Sequence, residues 1–229
     1  MVKKKITPNK VFKKEERTPW CLINKANKYI FIHIPKNAST TIRGMVQFDG
    51  NNAMVNYNNI KNPENYFKFI VIRNPVDRAI SSYLEISKLR PDGNSNITRH
   101  SDWFKEPDKE KSFRMFLEYI SKDNFYTIDR HASPQIDWIK NKNLTLDDMD
   151  VTLLNDTLDD DLNTMITTNK NIKTKRNNLV RMNVGKSGIK QKLKKFVAAN
   201  VDVQDRIREI YAEDAKMYDE LKKKQDEIL

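Results

Sequence analysis

The sequence predicts an α/β fold, with a central parallel β-sheet flanked by helices. Two continuous apolar runs, YIFIHI at 29–34 and FKFIVI at 67–72, have the composition of strands buried on both faces. Each run ends in a polar turn followed by a helix start, and two such units in succession call for parallel pairing with helical crossovers. Apolar residues then recur at helical spacing in the later segments, most clearly over about 202–225.

Taken in order, residues 1–28 are polar and broken by Pro8 and Pro19, which predicts a basic arm attached loosely through Trp20, with the folded domain running over 29–229. Pro35 stops the first strand, and a helix is expected from Ser39 or Thr40, with Ile42, Met45 and Val46 on its inner face. The Asn-rich stretch 49–66 reads as loop. After the second strand, Pro75 suits the first turn of a helix over 75–88 whose core face carries Ile80, Tyr83 and Leu84.

Residues 90–111 read as a long loop, and 112–121 as a helix with Phe113, Phe116, Leu117 and Ile120 on one stripe. An irregular segment over 123–142 contains RHASPQIDWI. A short strand at 149–154 leads into a helix capped by Asp156 or Thr157. Residues 171–189 are basic and loop-like. A single long amphipathic helix over about 202–225 closes the chain.

The chain has 229 residues, room for one domain with a substantial core. Its 42 Lys and Arg against 31 Asp and Glu give a net charge of +11, which favours anionic partners. Much of that charge lies in the arm and in 170–195. Cys21 is the single cysteine, so no intrachain disulfide forms, and nothing nearby in sequence marks it as a nucleophile. The lysines at the N-terminus are followed by no apolar run, so no signal peptide is expected, and no stretch approaches the ~20 apolar residues of a membrane span. A cytoplasmic protein is the expectation.

The two turns carry the chemistry. A helix N-terminus presents N–H groups and partial positive charge to an oxyanion. In the first turn, PKNASTT, Lys36 adds a full charge and Ser39, Thr40 and Thr41 add hydroxyls. In the second, Arg73 follows its strand directly and Ser81 lies further into the helix, a guanidinium fork with a hydroxyl beside it. Together they suit a ligand with two separate anionic groups. The arrangement is P-loop-like, a strand–turn–helix nucleotide site, but G-x-x-x-x-G-K-[ST] is absent and Arg73 stands where a metal-binding carboxylate would follow the second strand. A triphosphate-hydrolysing enzyme is disfavoured. No cluster of His, Cys and carboxylates marks a metal site.

HIPKNAST resembles the 5′-phosphosulfate loop, and RNPVDRAISSY the 3′-phosphate motif, of sulfotransferases that use 3′-phosphoadenosine 5′-phosphosulfate (PAPS), with the closest likeness to the carbohydrate branch. RHASPQIDWI, MDVTLLNDTLDDDL and IREIYAEDAKMYDEL are similar to later segments of that family. The resemblance implies transfer of a sulfuryl group from PAPS to a hydroxyl of a glycan or small-molecule acceptor, without a metal. It assigns Lys36, Asn37, Ala38, Ser39, Thr40 and Thr41 to the phosphosulfate, and Arg73 and Ser81 to the 3′-phosphate. A late basic loop would close over the nucleotide through Arg181 and Lys186. Lys36 would neutralise the leaving group. Golgi relatives are membrane-anchored, so a chain without an anchor implies a bacterial or virus-encoded setting.

Some glycan sulfotransferases carry a histidine between the two motifs, whereas residues 37–72 contain none here. His131 is the first choice of general base, with His100 and Glu85 as further candidates and His33 read as core. Trp103, Phe104, Phe125, Tyr126 and Trp138 are candidates to stack on an acceptor sugar or to pack over the sheet edge. A nucleic-acid-binding α/β protein and a catalytically silent nucleotide-binding relative are the competing readings. The first lacks any zinc, RNA-platform or helix-turn-helix signature and leaves the paired turns unexplained, so nucleic acid is not the expected partner.

Overall fold

A computed structural model describes residues 20–89, 102–124, 131–175 and 188–227. In chain order its elements are β1 (Trp20–Asn24), β2 (Tyr29–Ile32), α1 (Ser39–Met45), β3 (Val55–Asn56), β4 (Phe67–Ile72), α2 (Pro75–Leu89), α3 (Asp102–Lys105), α4 (Lys109–Tyr119), α5 (Gln135–Lys140), β5 (Val151–Leu154), α6 (Leu158–Thr168), α7 (Gly188–Ala199), α8 (Val201–Ile210) and α9 (Ala212–Asp226).

The sheet is mixed, with strand order β3-β1-β2-β4-β5. Its β2-β4-β5 half is parallel, as the two apolar runs imply. The other half corrects the expectation of an all-parallel sheet: β1 pairs antiparallel with β2, and β3 antiparallel with β1. The cause is local, because the four residues between β1 and β2 suffice for a hairpin and cannot make a parallel crossover. Lys28 supports the tight turn with a left-handed φ of 56°. Strand β1 also takes residues 20–24 out of the arm expected over 1–28.

Both faces of the sheet are covered. On one, Ile30, Ile32, Ile70, Ile72 and Leu154 pack against Trp138 and Ile139 of α5 and against Met217 and Tyr218 of α9. On the other, Phe31, Phe69, Val71 and Leu153 meet Ile42 and Met45 of α1 and Leu162 and Met165 of α6. Side chains of this size each contribute about 1.5–3 kcal/mol when fully buried. A third cluster joins α2, α4, α7 and α8 through Ile80, Tyr83, Phe113, Phe116, Leu193, Val197, Val203 and Ile207.

The closing helix expected over 202–225 is two helices that break at Tyr211, whose backbone leaves helical geometry at φ −113°, ψ 42°. The buried Tyr211 hydroxyl donates to the Ala132 carbonyl at 2.7 Å and ties the break to the segment before α5. Among the described residues, no helix is long and apolar enough to cross a membrane.

Cys21 lies fully buried on β1, and burial pushes its thiol up to about 12. A thiol reagent such as Ellman's should leave Cys21 unmodified in the native protein and titrate one thiol in urea. Rapid native modification would show that β1 does not stay in the sheet.

Candidate functional site

The first turn is held by backbone geometry and one buried amide. Lys36 and Ala38 adopt left-handed φ values of 68° and 55°. Glycine usually takes such positions, and residues bearing Cβ do so at a cost of order 1–3 kcal/mol, a strain concentrated at functional sites. Between them Asn37 is fully buried, donating through Nδ2 to the Val71 carbonyl at 2.7 Å and to Gln135 Oε1 at 2.5 Å. The Ser39 hydroxyl donates to the Ile34 carbonyl at 3.1 Å. The turn is thus bent back on the end of β2, and α1 opens towards the carboxyl edge of the sheet.

The second turn meets it directly. Arg73 is buried, and its Nη1 donates to the Lys36 carbonyl at 2.9 Å. Gln135 grips the Arg73 backbone at both polar groups: Oε1 accepts from the amide at 3.0 Å, and Nε2 donates to the carbonyl at 2.9 Å. One carboxamide from α5 therefore ties both turns together. Arg73 Nε is buried without a hydrogen-bond partner. Desolvation is the main influence lowering the Arg73 pKa, offset in part by Asp77 and Asp156. A guanidinium nevertheless keeps its charge at neutral pH.

These turns open on a cavity of about 340 Å³. Lys36, Ala38, Ser39, Thr40, Thr41, Arg73 and Ser81 all line it, so the structure brings together seven of the eight positions that the two motifs single out. Asn37 is the exception, since its side chain turns inward as a brace instead of facing the cavity. His131 lines the wall, and its carbonyl accepts from the Ser82 hydroxyl at 2.7 Å. His33, expected in the core, is buried and also reaches the cavity. Trp138 is buried at the wall with Nε1 donating to Ser133 Oγ at 3.0 Å. Trp103 instead packs among Tyr83, Phe104 and Phe116 in the helical cluster. Arg181, Lys186, His100, Phe125 and Tyr126 lie outside the described residues.

Several wall residues carry little signal in the sequence. Lys190, in the first turn of α7, lowers its pKa through burial and through the like charges of Arg73, Lys194 and Lys36. Cations gathered against their mutual repulsion form a site that gains from an anionic ligand. Arg43 and Met54 complete the wall near α1, and Trp20 does so from β1. Glu85 also faces the cavity, its Oε2 3.1 Å from Lys36 Nζ. Glu85, a further candidate base from the sequence, lies one turn beyond Ser81 on α2. Lys190 belongs to the basic stretch 170–195, but nothing there singles it out from its neighbours. Among the described residues, no group of three or more His, Cys, Asp or Glu could hold a metal ion.

A family model described as the Sulfotransferase family matches residues 20–219, from the first residue of β1 into α9. The chain belongs to this family. No curated protein and no solved structure gives a significant match. Sulfotransferase membership supports sulfuryl transfer to a hydroxyl-bearing acceptor as the reaction class. The sulfotransferase match takes in all five strands, both turns and the cavity they enclose.

Proposed function

We propose that the protein transfers the sulfuryl group of PAPS to a hydroxyl of a carbohydrate acceptor, using a P-loop-like site at the ends of β2 and β4. The observation that carries this reading is the joining of the two basic turns in one cavity, with the Arg73 guanidinium 2.9 Å from the Lys36 carbonyl and Lys190 facing them. The unpartnered Arg73 Nε and the clustered cations fit a ligand with two anionic ends. The carbohydrate acceptor rests on the resemblance of the two motifs to the glycan branch.

In this reading Lys36, Ala38, Ser39, Thr40 and Thr41 hold the 5′-phosphosulfate, while Asn37 fixes the turn that presents them. Arg73 and Ser81 hold the 3′-phosphate. PAPS supplies the activated sulfuryl group, and the protein positions it and stabilises spread negative charge. Lys36 meets the charge that develops on the leaving oxygen. Two wall groups can take the acceptor's proton: His131, the first choice from sequence, and Glu85, one of the further candidates.

Calorimetric titration with 3′-phosphoadenosine 5′-phosphate tests the donor reading, with adenosine 5′-phosphate and ATP–magnesium as controls. A charged hydrogen-bonded contact of about 1.5–3 kcal/mol predicts a preference of roughly 10- to 100-fold for the 3′-phosphorylated ligand. Equal binding of all three, or none, overturns it and returns attention to the basic stretch 170–195 and nucleic acid.

A further inference from the structure

Glu85 is out of place in this cavity. Among the described residues that line it, Glu85 is the single carboxylate, set against Lys36, Arg43, Arg73 and Lys190. In a site for an anionic ligand that charge opposes binding. It also occupies Lys36, whose Nζ it meets at 3.1 Å. A neutral residue would serve donor binding better, so the carboxylate calls for a different task.

Resting on the sulfuryl-transfer reading above, we propose that Glu85 is the general base that takes the proton from the acceptor hydroxyl. Geometry favours it. A base must come within about 2.6–3.2 Å of the hydroxyl it deprotonates, and that hydroxyl must lie about 3–3.5 Å from the atom it attacks. The base therefore belongs on the wall of the cavity that holds the transferring group, within a few ångströms of it. Glu85 satisfies this: its place on α2, one turn beyond Ser81, puts it on the cavity wall beside the proposed donor contacts.

The step balances without further reactants. The acceptor oxygen forms a bond to sulfur as the bond between sulfur and the bridging phosphate oxygen breaks. The acceptor proton passes to a Glu85 oxygen, and the electron pair of the broken bond leaves on the bisphosphate, where Lys36 meets it. Glu85 later returns the proton to water. The ion pair with Lys36 has a second consequence: the donor's anionic end competes with Glu85 for the ammonium, so donor entry releases the carboxylate for the acceptor.

This combination gives Glu85→Gln a signature that neither a donor-binding nor a purely structural residue shares. The amide keeps the size and an oxygen for Lys36 while removing the base and the negative charge. Turnover would be followed as transfer of labelled sulfate from PAPS to a mixture of methyl glycosides, with slow release to water measured alongside, and 3′-phosphoadenosine 5′-phosphate binding by calorimetry. Turnover should fall about 10²–10⁴-fold, the range for loss of a general base, while the nucleotide binds as tightly as in wild type or more tightly. Turnover within about threefold of wild type, or nucleotide binding weakened tenfold or more, overturns the assignment. So does a His131→Ala variant that loses turnover while Glu85→Gln keeps it. Failure of the donor reading is seen separately, as absence of nucleotide binding by the wild-type protein.

Discussion

Lys36→Ala is expected to lower turnover by about 10²–10³-fold, or ~2.7–4 kcal/mol of transition-state stabilisation, the usual cost of losing one preorganised group at a developing oxyanion. The fold should survive the change. Alanine and lysine both carry a Cβ, so the left-handed φ of 68° at this position is no more strained after the substitution. The ion pair with Glu85 is partly exposed, its side chains 19% and 34% accessible, and such pairs contribute at most about 1 kcal/mol. The Lys36 carbonyl that receives Arg73 Nη1 belongs to the backbone and remains. The measurement pairs labelled-sulfate transfer with urea unfolding. An unchanged urea midpoint with lost turnover supports the leaving-group role, whereas wild-type turnover refutes it. Opposite directions in binding separate this variant from Glu85→Gln, because loss of Lys36 weakens the nucleotide and loss of the Glu85 charge does not.

The parts of the fold legible in the sequence were those written as uninterrupted patterns. FKFIVI is buried from Phe69 to Ile72, and the helix behind Pro75 runs as its spacing predicts. Strand β1 escaped because its five residues follow a polar segment with Pro19 beside them, and its pairing depends on a hairpin partner that composition does not reveal. The break at Tyr211 escaped for another reason. Val203 and Ile207 before it, and Ala215 and Tyr218 after it, keep helical spacing, and the interruption is fixed by a hydrogen bond to Ala132 rather than by a glycine or proline. At the site, residue types and spacing brought out the wall residues of the two turns. Which way Asn37 faces was not legible, because it depends on Gln135, almost a hundred positions away in the chain. Lys190 likewise reaches the cavity only because α7 packs against α2.

The same long-range dependence makes Asp214, which does not line the cavity, a position where a single substitution should cost much stability. Its buried carboxylate accepts from the Gln135 amide at 2.7 Å and the Ile136 amide at 2.9 Å, fixing the start of α5. It is also the foremost opposing charge acting on Arg78, which is fully buried with Nε and Nη2 unpartnered. Burial is the main influence raising the Asp214 pKa, while Arg78 and the two amides favour its charged form. Asp214→Ala would strand two amides and remove the foremost charge opposing Arg78, leaving Asp137 among the weaker ones. It should cost about 3–5 kcal/mol in urea unfolding at neutral pH, the range for breaking a buried pair by removing one partner. The two amides use different carboxylate oxygens, so Asp214→Asn keeps an acceptor for only one of them and sets an NH2 donor against the other; it too should lose stability, though less than Asp214→Ala. A loss below about 1 kcal/mol in Asp214→Ala would mean that α9 does not anchor α5, since surface substitutions fall in that range. The loss should also reach the site, because the amide that Asp214 holds belongs to Gln135, whose side chain joins Asn37 to Arg73.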